Sequence, residues 1–367
     1  LEELIHLAFR DCDLILTTGG LGPTQDDLTK ETIAKAMGDV IVENPDCMQY
    51  LKENYARAGR TMTPNNLKQA YMPSRAIVLP NDAGTAPGFA LEQDGKLIIA
   101  MPGPPREMTR MFELQVKPLL QKRQDSVIYY RMLRMFGIGE SSLETVLLPL
   151  IDGQTDPTLA TYAKEGECSL RIASKRATAE EARAAVDEMT EKVRAIVGAY
   201  IYSYDDEELI DVVGRLLLEK HITIACAESC TGGLFAGALT DTAGISEVFA
   251  RGYVTYSAEA KEAELGVKPE TIDAYGIVSP QVAGEMATGL AAKTGADLCI
   301  SVTGIAGPGG GSEDKPVGLA YIGLSYKGKV QTVKSYYRNV SRKWNRHYTL
   351  LRMLFEVYRL ISQEENC

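Results

Sequence analysis

The residues best suited to chemistry lie between Ile222 and Gly233, in the segment ITIACAESCTGG. An apolar run of strand length leads into a turn with two glycines, and a helix is predicted to begin near Leu234. A hydroxyl on such a turn lies beside unpaired helix N-terminal amides that can hold an anion or an oxyanion. Ser229 is therefore the candidate nucleophile, and the alternative is that Ser229 or Thr231 only caps the helix. The candidate binding residues of this turn are Glu228, Thr231, Gly232 and Gly233.

A serine hydroxyl is a weak nucleophile and needs a neighbouring base. The three histidines all lie outside glycine-rich turns, which disfavours a serine, histidine and aspartate triad. A lysine can act as the base if burial or nearby cations lower its pKa from ~10.4 by roughly 3 units. Lys261 in YSAEAK is the candidate, although AEAKEAELG is also typical of a solvated amphipathic helix. Cys230 is the alternative nucleophile, because a thiol is intrinsically better at acyl transfer.

Two downstream segments supply further candidates. In RGYVTYSAEAK, the alternation of YVTY predicts a half-buried strand, so one of Tyr253 and Tyr256 faces the core, and Tyr256 is favoured for the site. In SVTGIAGPGGG, Thr303 with the amides of Gly304 and Ile305 is a candidate for holding a carboxamide or an oxyanion. The glycines that follow allow close approach to a phosphate, and a flexible surface hairpin is the alternative.

The first third of the chain carries a second candidate site. An apolar strand from Leu14 to Thr18 leads into GGLGPTQDD and then a helix from Thr29 to Met37. The glycines bring amides towards a phosphate, and the two aspartates suit a divalent metal ion unless they only cap the helix. The segment KLIIAMPGPPREM repeats this arrangement. The candidate residues of this nucleotide site are Gly19, Gly20, Gly22, Asp26, Asp27, Gly103 and Arg106.

The order of elements predicts α/β layers with ligands at the carboxyl ends of the strands. The apolar strands, each expected to precede a glycine-bearing turn and a helix, are Leu14 to Thr18, Leu97 to Met101, Ile222 to Ala227 and Leu298 to Val302. A middle module is predicted from strands Val127 to Phe136 and Cys168 to Ser174 and an amphipathic helix, Thr178 to Val197. With 367 residues, 45% of them hydrophobic, the chain supports two or three domains.

Charge and cysteine usage restrict the partners. The net charge of −10 disfavours nonspecific binding to nucleic acid or to an anionic membrane. No apolar run reaches the ~18 residues needed to span a bilayer, and no signal peptide is visible. The seven cysteines form no CxxC pair, which indicates free thiols in a reducing cytoplasm rather than a disulfide framework or a zinc site.

Together, ESCTGG, YSAEAK and TGIAGPGGG resemble the CinA family (competence/damage-inducible protein A) over about residues 207–360. In that family this domain is a nicotinamide mononucleotide amidohydrolase. The resemblance implies that Ser229 is the nucleophile and Lys261 the base. It also implies that Tyr256 and Thr303 lie around the substrate and that no metal or other cofactor takes part.

The same family sets expectations for the rest of the chain. GGLGPTQDD and the later glycine and proline loop resemble the N-terminal half of CinA, which has the molybdopterin-binding fold of MoaB and MogA and is associated with metal-dependent cleavage of ADP-ribose. This implies a MoaB/MogA-like domain over residues 1–122, a KH-like α+β module over 123–204 that sets the dimer geometry, and the amidohydrolase over 205–367. The first strand of the N-terminal fold is expected to be missing, because Leu1 falls inside the first crossover helix.

One stretch departs from the family pattern. An ungapped match of YYRNVSRKWNRHY places Ser341 where the family has a phosphate-binding arginine. Arg342 is the candidate substitute, and Arg338 and Arg346 are the alternatives.

The sequence therefore predicts a cytoplasmic, homodimeric enzyme that converts nicotinamide mononucleotide and water to nicotinic acid mononucleotide and ammonia. Ser229 would attack the carboxamide carbon, Lys261 would take and return the proton, and amides near Thr303 or in the ESCTGG turn would hold the oxyanion. Small nucleotides are the expected partners, not nucleic acid or a membrane. The alternatives are an ADP-ribose pyrophosphatase in the N-terminal domain, with a divalent metal ion on Asp26 or Asp27, and a nucleotide-binding scaffold without catalysis.

Overall fold

The computed structural model describes residues 1–337 and 341–362. The chain forms two compact units, residues 1–125 and the residues from 126 onwards. Both units combine α-helices with β-sheets, which confirms the predicted multidomain α/β architecture. None of the helices in the described ranges is long and apolar enough to cross a membrane.

The N-terminal unit is built on a four-stranded sheet with the order β1, β6, β5, β4. In this sheet β1 is parallel to β6, and the other pairs are antiparallel. A small second sheet pairs β2 with β3. The elements are α1 (Glu2–Asp11), β1 (Leu14–Thr18), α2 (Thr29–Ala36), β2 (Ile41–Glu43), α3 (Pro45–Arg57), β3 (Tyr71–Pro73), β4 (Ile77–Leu79), β5 (Gly88–Gln93), β6 (Lys96–Met101), α4 (Pro105–Met111) and α5 (Lys117–Gln121).

The middle strands of this sheet are buried on both faces. Alternate residues of a strand point to opposite faces, and here both sets are apolar. One face of β5 and β6 carries Phe89, Leu91, Ile98 and Ala100, which pack with α2 and α3 residues such as Ile33 and Leu51. The other face carries Ala90, Leu97, Ile99 and Met101, which pack with Met111 and Val116.

The second unit begins with an antiparallel sheet in the order β10, β7, β9, β8. Its helix α7 begins where the Thr178 side chain accepts a hydrogen bond from the Glu181 amide at 3.2 Å. The predicted strand Val127 to Phe136 is confirmed with the same bounds. The elements are β7 (Val127–Phe136), α6 (Glu140–Ile151), β8 (Thr158–Lys164), β9 (Glu167–Arg176), α7 (Ala179–Val197) and β10 (Ile201–Ser203).

The remainder of this unit is a five-stranded sheet in the order β12, β11, β13, β14, β15. Strand β11 lies between β12 and β13 and is parallel to both, whereas β14 and β15 are antiparallel additions. The elements are α8 (Leu209–Glu219), β11 (Ile224–Glu228), α9 (Leu234–Thr240), β12 (Phe249–Val254), α10 (Ala258–Leu265), α11 (Pro269–Tyr275), α12 (Pro280–Thr294), β13 (Leu298–Gly304), β14 (Leu319–Tyr326), β15 (Lys329–Tyr336) and α13 (Arg342–Ser362).

The prediction of a helix after β13 was wrong. The chain returns instead through a loop, residues 305–318, into the antiparallel strand β14. The base of the loop is closed by backbone hydrogen bonds from Ile305 to the Leu319 carbonyl and from Gly318 to the Ile305 carbonyl, both 2.8 Å long. The glycines of this segment therefore close a loop between two paired strands and do not start a helix.

A single hydrophobic core joins the two sheets of the second unit. It includes residues of α8, β11, β13 and α13, and it extends to Phe136 at the end of β7. The rings of Phe136 and Phe355 lie 5.1 Å apart between centroids. The predicted modules 123–204 and 205–367 therefore pack as one body.

Candidate active site

Ser229 lies directly after β11, the strand with parallel neighbours on both sides. The turn that follows contains Gly232 (φ 61°) and Gly233 (φ 95°), a left-handed conformation that glycine adopts without strain. Helix α9 then begins at Leu234, as predicted. The Ser229 side chain is 8% exposed and reaches the wall of a cavity.

The first amides of α9 are satisfied by Glu228, not by a hydroxyl. The fully buried carboxylate accepts hydrogen bonds from the amides of Gly233, Phe235 and Ala236 at 3.0, 3.1 and 2.9 Å. A carboxylate at a helix start is also stabilised by the helix dipole. Neither Ser229 nor Thr231 caps the helix, so the capping alternative is wrong for both. Glu228 supports the turn and does not line the cavity.

Lys261 meets Ser229 from α10, the helix that follows β12. Its side chain is 0% exposed, and Nζ lies 3.1 Å from Ser229 Oγ. The same nitrogen donates to the backbone carbonyls of Thr255 (2.6 Å) and Ser257 (3.5 Å). Burial lowers the pKa of Lys261 to about 8. The solvated-helix alternative is therefore wrong for this lysine, whose helix otherwise exposes much of its surface.

Cys230 is a poor alternative nucleophile. The side chain is buried, and burial raises the pKa of its thiol to about 12. Because the thiolate is the reactive form, this thiol is unreactive near neutral pH.

The two tyrosines separate as the alternation predicted. Tyr256 is 57% exposed on the cavity wall, and its hydroxyl accepts a hydrogen bond from Arg342 Nη2 at 2.8 Å. Tyr253 packs against the core formed by β11, α10 and α12, with the Lys293 ammonium 5.0 Å from its ring centroid. Tyr253 does not line the cavity, so its proposed substrate contact has no support in the structure.

Thr303 and Gly304 lie at the end of β13 and line the same cavity as Ser229. The Thr303 hydroxyl donates to the Ile277 carbonyl at 2.8 Å. The Ile305 amide is engaged by the Leu319 carbonyl, as described for the loop base. These two donors are therefore engaged within the fold, which leaves the Gly304 amide and the amides of the nucleophile turn as the predicted donors to an oxyanion.

The cavity has a volume of about 460 Å³ and is cationic. Its wall is formed by the nucleophile turn, Tyr256, residues 276–278, the loop from Thr303 onwards and two basic side chains, Arg342 and Lys315. No acidic residue lines it within the described part of the chain. Lys315, which the sequence did not single out, donates to the Tyr275 carbonyl at 2.6 Å.

In the stretch that departs from the family pattern, Ser341 caps a helix. Ser341 precedes α13, and its hydroxyl accepts a hydrogen bond from the Trp344 amide at 3.1 Å. Arg342 follows and donates to the Gly307 carbonyl at 2.7 Å in the glycine loop. Arg346 does not line the cavity, and Arg338 lies outside the described residues. Arg342 is therefore the arginine at the cavity.

The N-terminal unit brings its two glycine loops together. Because β1 and β6 are parallel neighbours, the loops that follow them leave the same edge of the sheet. The Gly19 amide donates to the Met101 carbonyl at 2.9 Å, and a Cβ on Gly103 would lie 3.4 Å from Gly19 Cα. Gly20 lies closer still to α2, since a Cβ on it would lie 2.0 Å from Thr29 Oγ1.

Asp26 and Asp27 converge on one hydroxyl and do not cap α2. Thr24 Oγ1 lies 2.6 Å from Asp26 Oδ1 and 2.5 Å from Asp27 Oδ2, and its hydrogen bond lowers the pKa of Asp27. Gly22 lies beside Asp27. Arg106 is exposed in the first turn of α4.

No group of three His, Cys, Asp or Glu side chains is placed to hold a metal ion in residues 1–337 and 341–362. Two carboxylates still fit Mg²⁺ when substrate phosphates complete its coordination.

Similarity to known proteins agrees with this arrangement. The family model described as CinA C-terminal domain matches residues 206–361, which include Ser229, Lys261 and Arg342. A competence-damage inducible protein from Clostridium kluyveri is 48% identical over 332 residues, which cover 90% of this chain and 81% of that protein. This chain belongs to the CinA family.

Two further family models match earlier parts of the chain. The model described as damage-inducible protein CinA KH domain matches residues 130–203, and the one described as probable molybdopterin binding domain matches residues 1–122. A competence-damage inducible protein from Clostridium acetobutylicum is 47% identical over 334 residues, or 91% of this chain and 81% of that protein. Among solved structures, the competence/damage inducible protein CihA from Agrobacterium tumefaciens is 40% identical, covering 42% of this chain and 97% of its own, with a TM-score of 0.40.

Proposed function

We propose that this protein is a serine amidohydrolase that converts nicotinamide mononucleotide and water to nicotinic acid mononucleotide and ammonia. The observation that carries the proposal is the contact of 3.1 Å between Ser229 Oγ and the fully buried amine of Lys261. A buried lysine with a pKa of about 8 has a substantial neutral fraction near physiological pH, so it can accept the proton of an attacking hydroxyl.

The reaction follows from these two side chains. Ser229 Oγ attacks the carboxamide carbon while its proton passes to Lys261 Nζ. The carbon–nitrogen bond then breaks, and Lys261 returns the proton to the leaving nitrogen, which departs as ammonia. Water attacks the resulting ester, gives a proton to Lys261, and the proton returns to Ser229 as the acid leaves. Each proton that is released in one step is taken up in the next, so the reaction balances without a metal ion.

The cavity supports a substrate that combines an aromatic ring with an anion. Arg342 and Lys315 are its two charged side chains, and no carboxylate on the described wall opposes them. Charge-assisted hydrogen bonds from such groups suit a phosphate. Tyr256 offers a ring face beside Arg342 for stacking on the nicotinamide ring. Its volume of about 460 Å³ is in the range of sites for small ligands.

The test is ammonia release from nicotinamide mononucleotide in the presence of EDTA. The parent protein should release ammonia, and Ser229→Ala should lose the activity. Ser246→Ala is the matched control, because Ser246 is an exposed serine of the same domain. A parent that releases no ammonia, or a Ser229→Ala protein that retains the parent rate, would refute the proposal.

A second candidate function is metal-dependent cleavage of the ADP-ribose pyrophosphate by the N-terminal unit. The observation that favours it is the meeting of two glycine loops at one sheet edge, with Asp26 and Asp27 in one of them. These aspartates would hold the divalent ion, which would neutralise charge on the pyrophosphate. The test is AMP release from ADP-ribose with Mg²⁺, which Asp26→Asn and Asp27→Asn should reduce and EDTA should abolish. A protein that binds ADP-ribose without turnover would instead favour the scaffold alternative.

The homodimer also remains a proposal. Light scattering at several protein concentrations would test it, and a mass of one chain at all of them would refute it.

A further inference from the structure

Arg346 holds the backbone of the nucleophile turn from α13. Its Nε donates to the Cys230 carbonyl at 3.1 Å, and its Nη2 donates to the Thr231 carbonyl at 2.6 Å. These are the two residues that follow Ser229 in the chain. The guanidinium thus makes a two-point contact with consecutive peptide groups through a rigid, planar pair of donors, a geometry that a lysine ammonium does not present.

The contact is made from outside the substrate cavity. Arg346 lines a separate groove of about 540 Å³ with Leu234, Trp344 and His347, and it is absent from the cavity wall that contains Ser229. Arg342 is on the wall of the cavity that contains Ser229, whereas Arg346 is not. Arg346 therefore acts on the backbone of the nucleophile turn.

The turn needs an external restraint because of its glycines. Gly232 and Gly233 have positive φ values, and glycine has more backbone freedom to lose than any other residue. In a trans peptide the N–H points opposite to the preceding C=O, so a fixed Cys230 carbonyl also fixes the direction of the Thr231 amide, away from Arg346. Thr231 itself is fully buried, and the Gly232 amide donates to the Ser229 carbonyl at 3.0 Å, so the turn is tied to the residue that carries the nucleophile.

We propose that Arg346 is a positioning residue of the amidohydrolase site, which rests on the function proposed above. It fixes the two peptide groups after Ser229, and thereby holds the nucleophile turn and the Ser229 hydroxyl in place for attack. Arg342 and Arg346 lie one turn apart on α13, so the same helix contacts the substrate cavity and holds the nucleophile turn.

The test compares Arg346→Ala and Arg346→Lys with Lys343→Ala, an exposed residue of the same helix. Misplacement of a reacting group by about 1 Å can cost about 10²-fold in rate, so both Arg346 variants should lose about 10²-fold in kcat with little change in KM. Millimolar guanidinium, well below denaturing concentrations, should restore part of the rate of Arg346→Ala but not of Ser229→Ala. Lys343→Ala should behave as the parent, and circular dichroism should show that all variants are folded.

Two results would overturn the inference. A rise in KM at unchanged kcat would make Arg346 a substrate contact, and parent-like kinetics in both variants would make it a surface residue without a role. If Arg346→Ala does not fold, Arg346→Lys decides alone, since it keeps the charge and loses the two-point contact. Labelling of Ser229 by a fluorophosphonate is followed in parallel. If the parent is labelled but releases no ammonia, the proposed substrate fails, and the labelling rates of the Arg346 variants still test the positioning role.

Discussion

Glu228 and Lys261 both support Ser229, but they are not paired with each other. The carboxylate is turned into the start of α9, where it accepts three backbone hydrogen bonds. Among the described residues, Lys261 contacts only the serine hydroxyl and two backbone carbonyls. A buried ammonium without a carboxylate partner is poorly stabilised, which explains why burial dominates the pKa of this lysine.

The first prediction concerns the pH dependence of the rate. Lys261 must be neutral to accept the proton of Ser229, so kcat/KM for ammonia release, which reports pKa values of the free protein, should rise with pH and level off above a midpoint near 8. Steady-state rates between pH 6 and pH 10 measure this midpoint. A rate that is constant over this range would contradict the assignment of Lys261 as the base.

The second prediction is that Lys261, the proposed base, lowers the stability of the folded protein. Its pKa is about 8 in the folded protein and about 10.5 when unfolded, so the unfolded state binds more protons between these values and the stability of the parent rises with pH across that window. Lys261→Met should therefore raise the free energy of unfolding by about 1–3 kcal/mol at pH 7, with a smaller gain at pH 10. It should also lower activity by about 10²- to 10⁴-fold.

Urea unfolding of both proteins at pH 7 and pH 10 checks this second prediction. An equal gain in the free energy of unfolding at the two pH values would show that the effect comes from packing and not from the buried charge.

The third prediction separates Ser229 from its neighbour. Cys230→Ala should keep kcat within about threefold of the parent, because a buried thiol with a raised pKa supplies no thiolate. Ser229→Ala, which leaves the thiol in place, should be inactive. Mass spectrometry of the acyl-enzyme trapped at low pH would identify the modified residue, and an adduct on Cys230 would reverse the assignment.

The fourth prediction concerns the cations of the cavity. Lys315→Ala and Arg342→Ala should each raise KM for nicotinamide mononucleotide by about 10- to 100-fold with a smaller effect on kcat, the loss expected for a charge-assisted hydrogen bond. Nicotinamide riboside, which has the same carboxamide without the phosphate, is the matched substrate and should be insensitive to both changes. Equal losses on the two substrates would show that these side chains do not recognise the phosphate.

The sequence predicted the elements whose local signals were strong. The bounds of β1 and β7 agree with the predicted strands, and α9 begins at the predicted residue. The contact between Ser229 and Lys261 was expected through the family resemblance, because nothing local distinguishes a buried lysine in AEAKEAELG from a solvated one. Its burial arises from the packing of α10 against the sheet and α12, which is a tertiary effect.

The predictions that failed, and the residue that was not predicted, also depend on tertiary contacts. The helix expected after β13 was replaced by β14, because the choice between a turn into a helix and a loop into a paired strand depends on a partner distant in the chain. Lys315 lies in a glycine-rich loop after two acidic residues, where composition indicates solvent, and only the closure of that loop brings it to the cavity. Tyr253 packs against the core and Tyr256 lines the cavity, as expected, but β12 ends at Val254, so Tyr256 lies beyond the strand.

The working form of the Ser229 and Lys261 pair carries no charge, whereas the wall around the substrate carries two cations. Dissolved ions screen exposed charges over about 10 Å at 0.1 M and act little on a buried neutral pair. Ionic strength therefore acts on the two halves of the site differently: salt weakens the hold on an anionic substrate and leaves the proton transfer that follows unaffected. If the protein has the proposed activity, a rise in salt concentration should therefore lower its substrate affinity before its turnover.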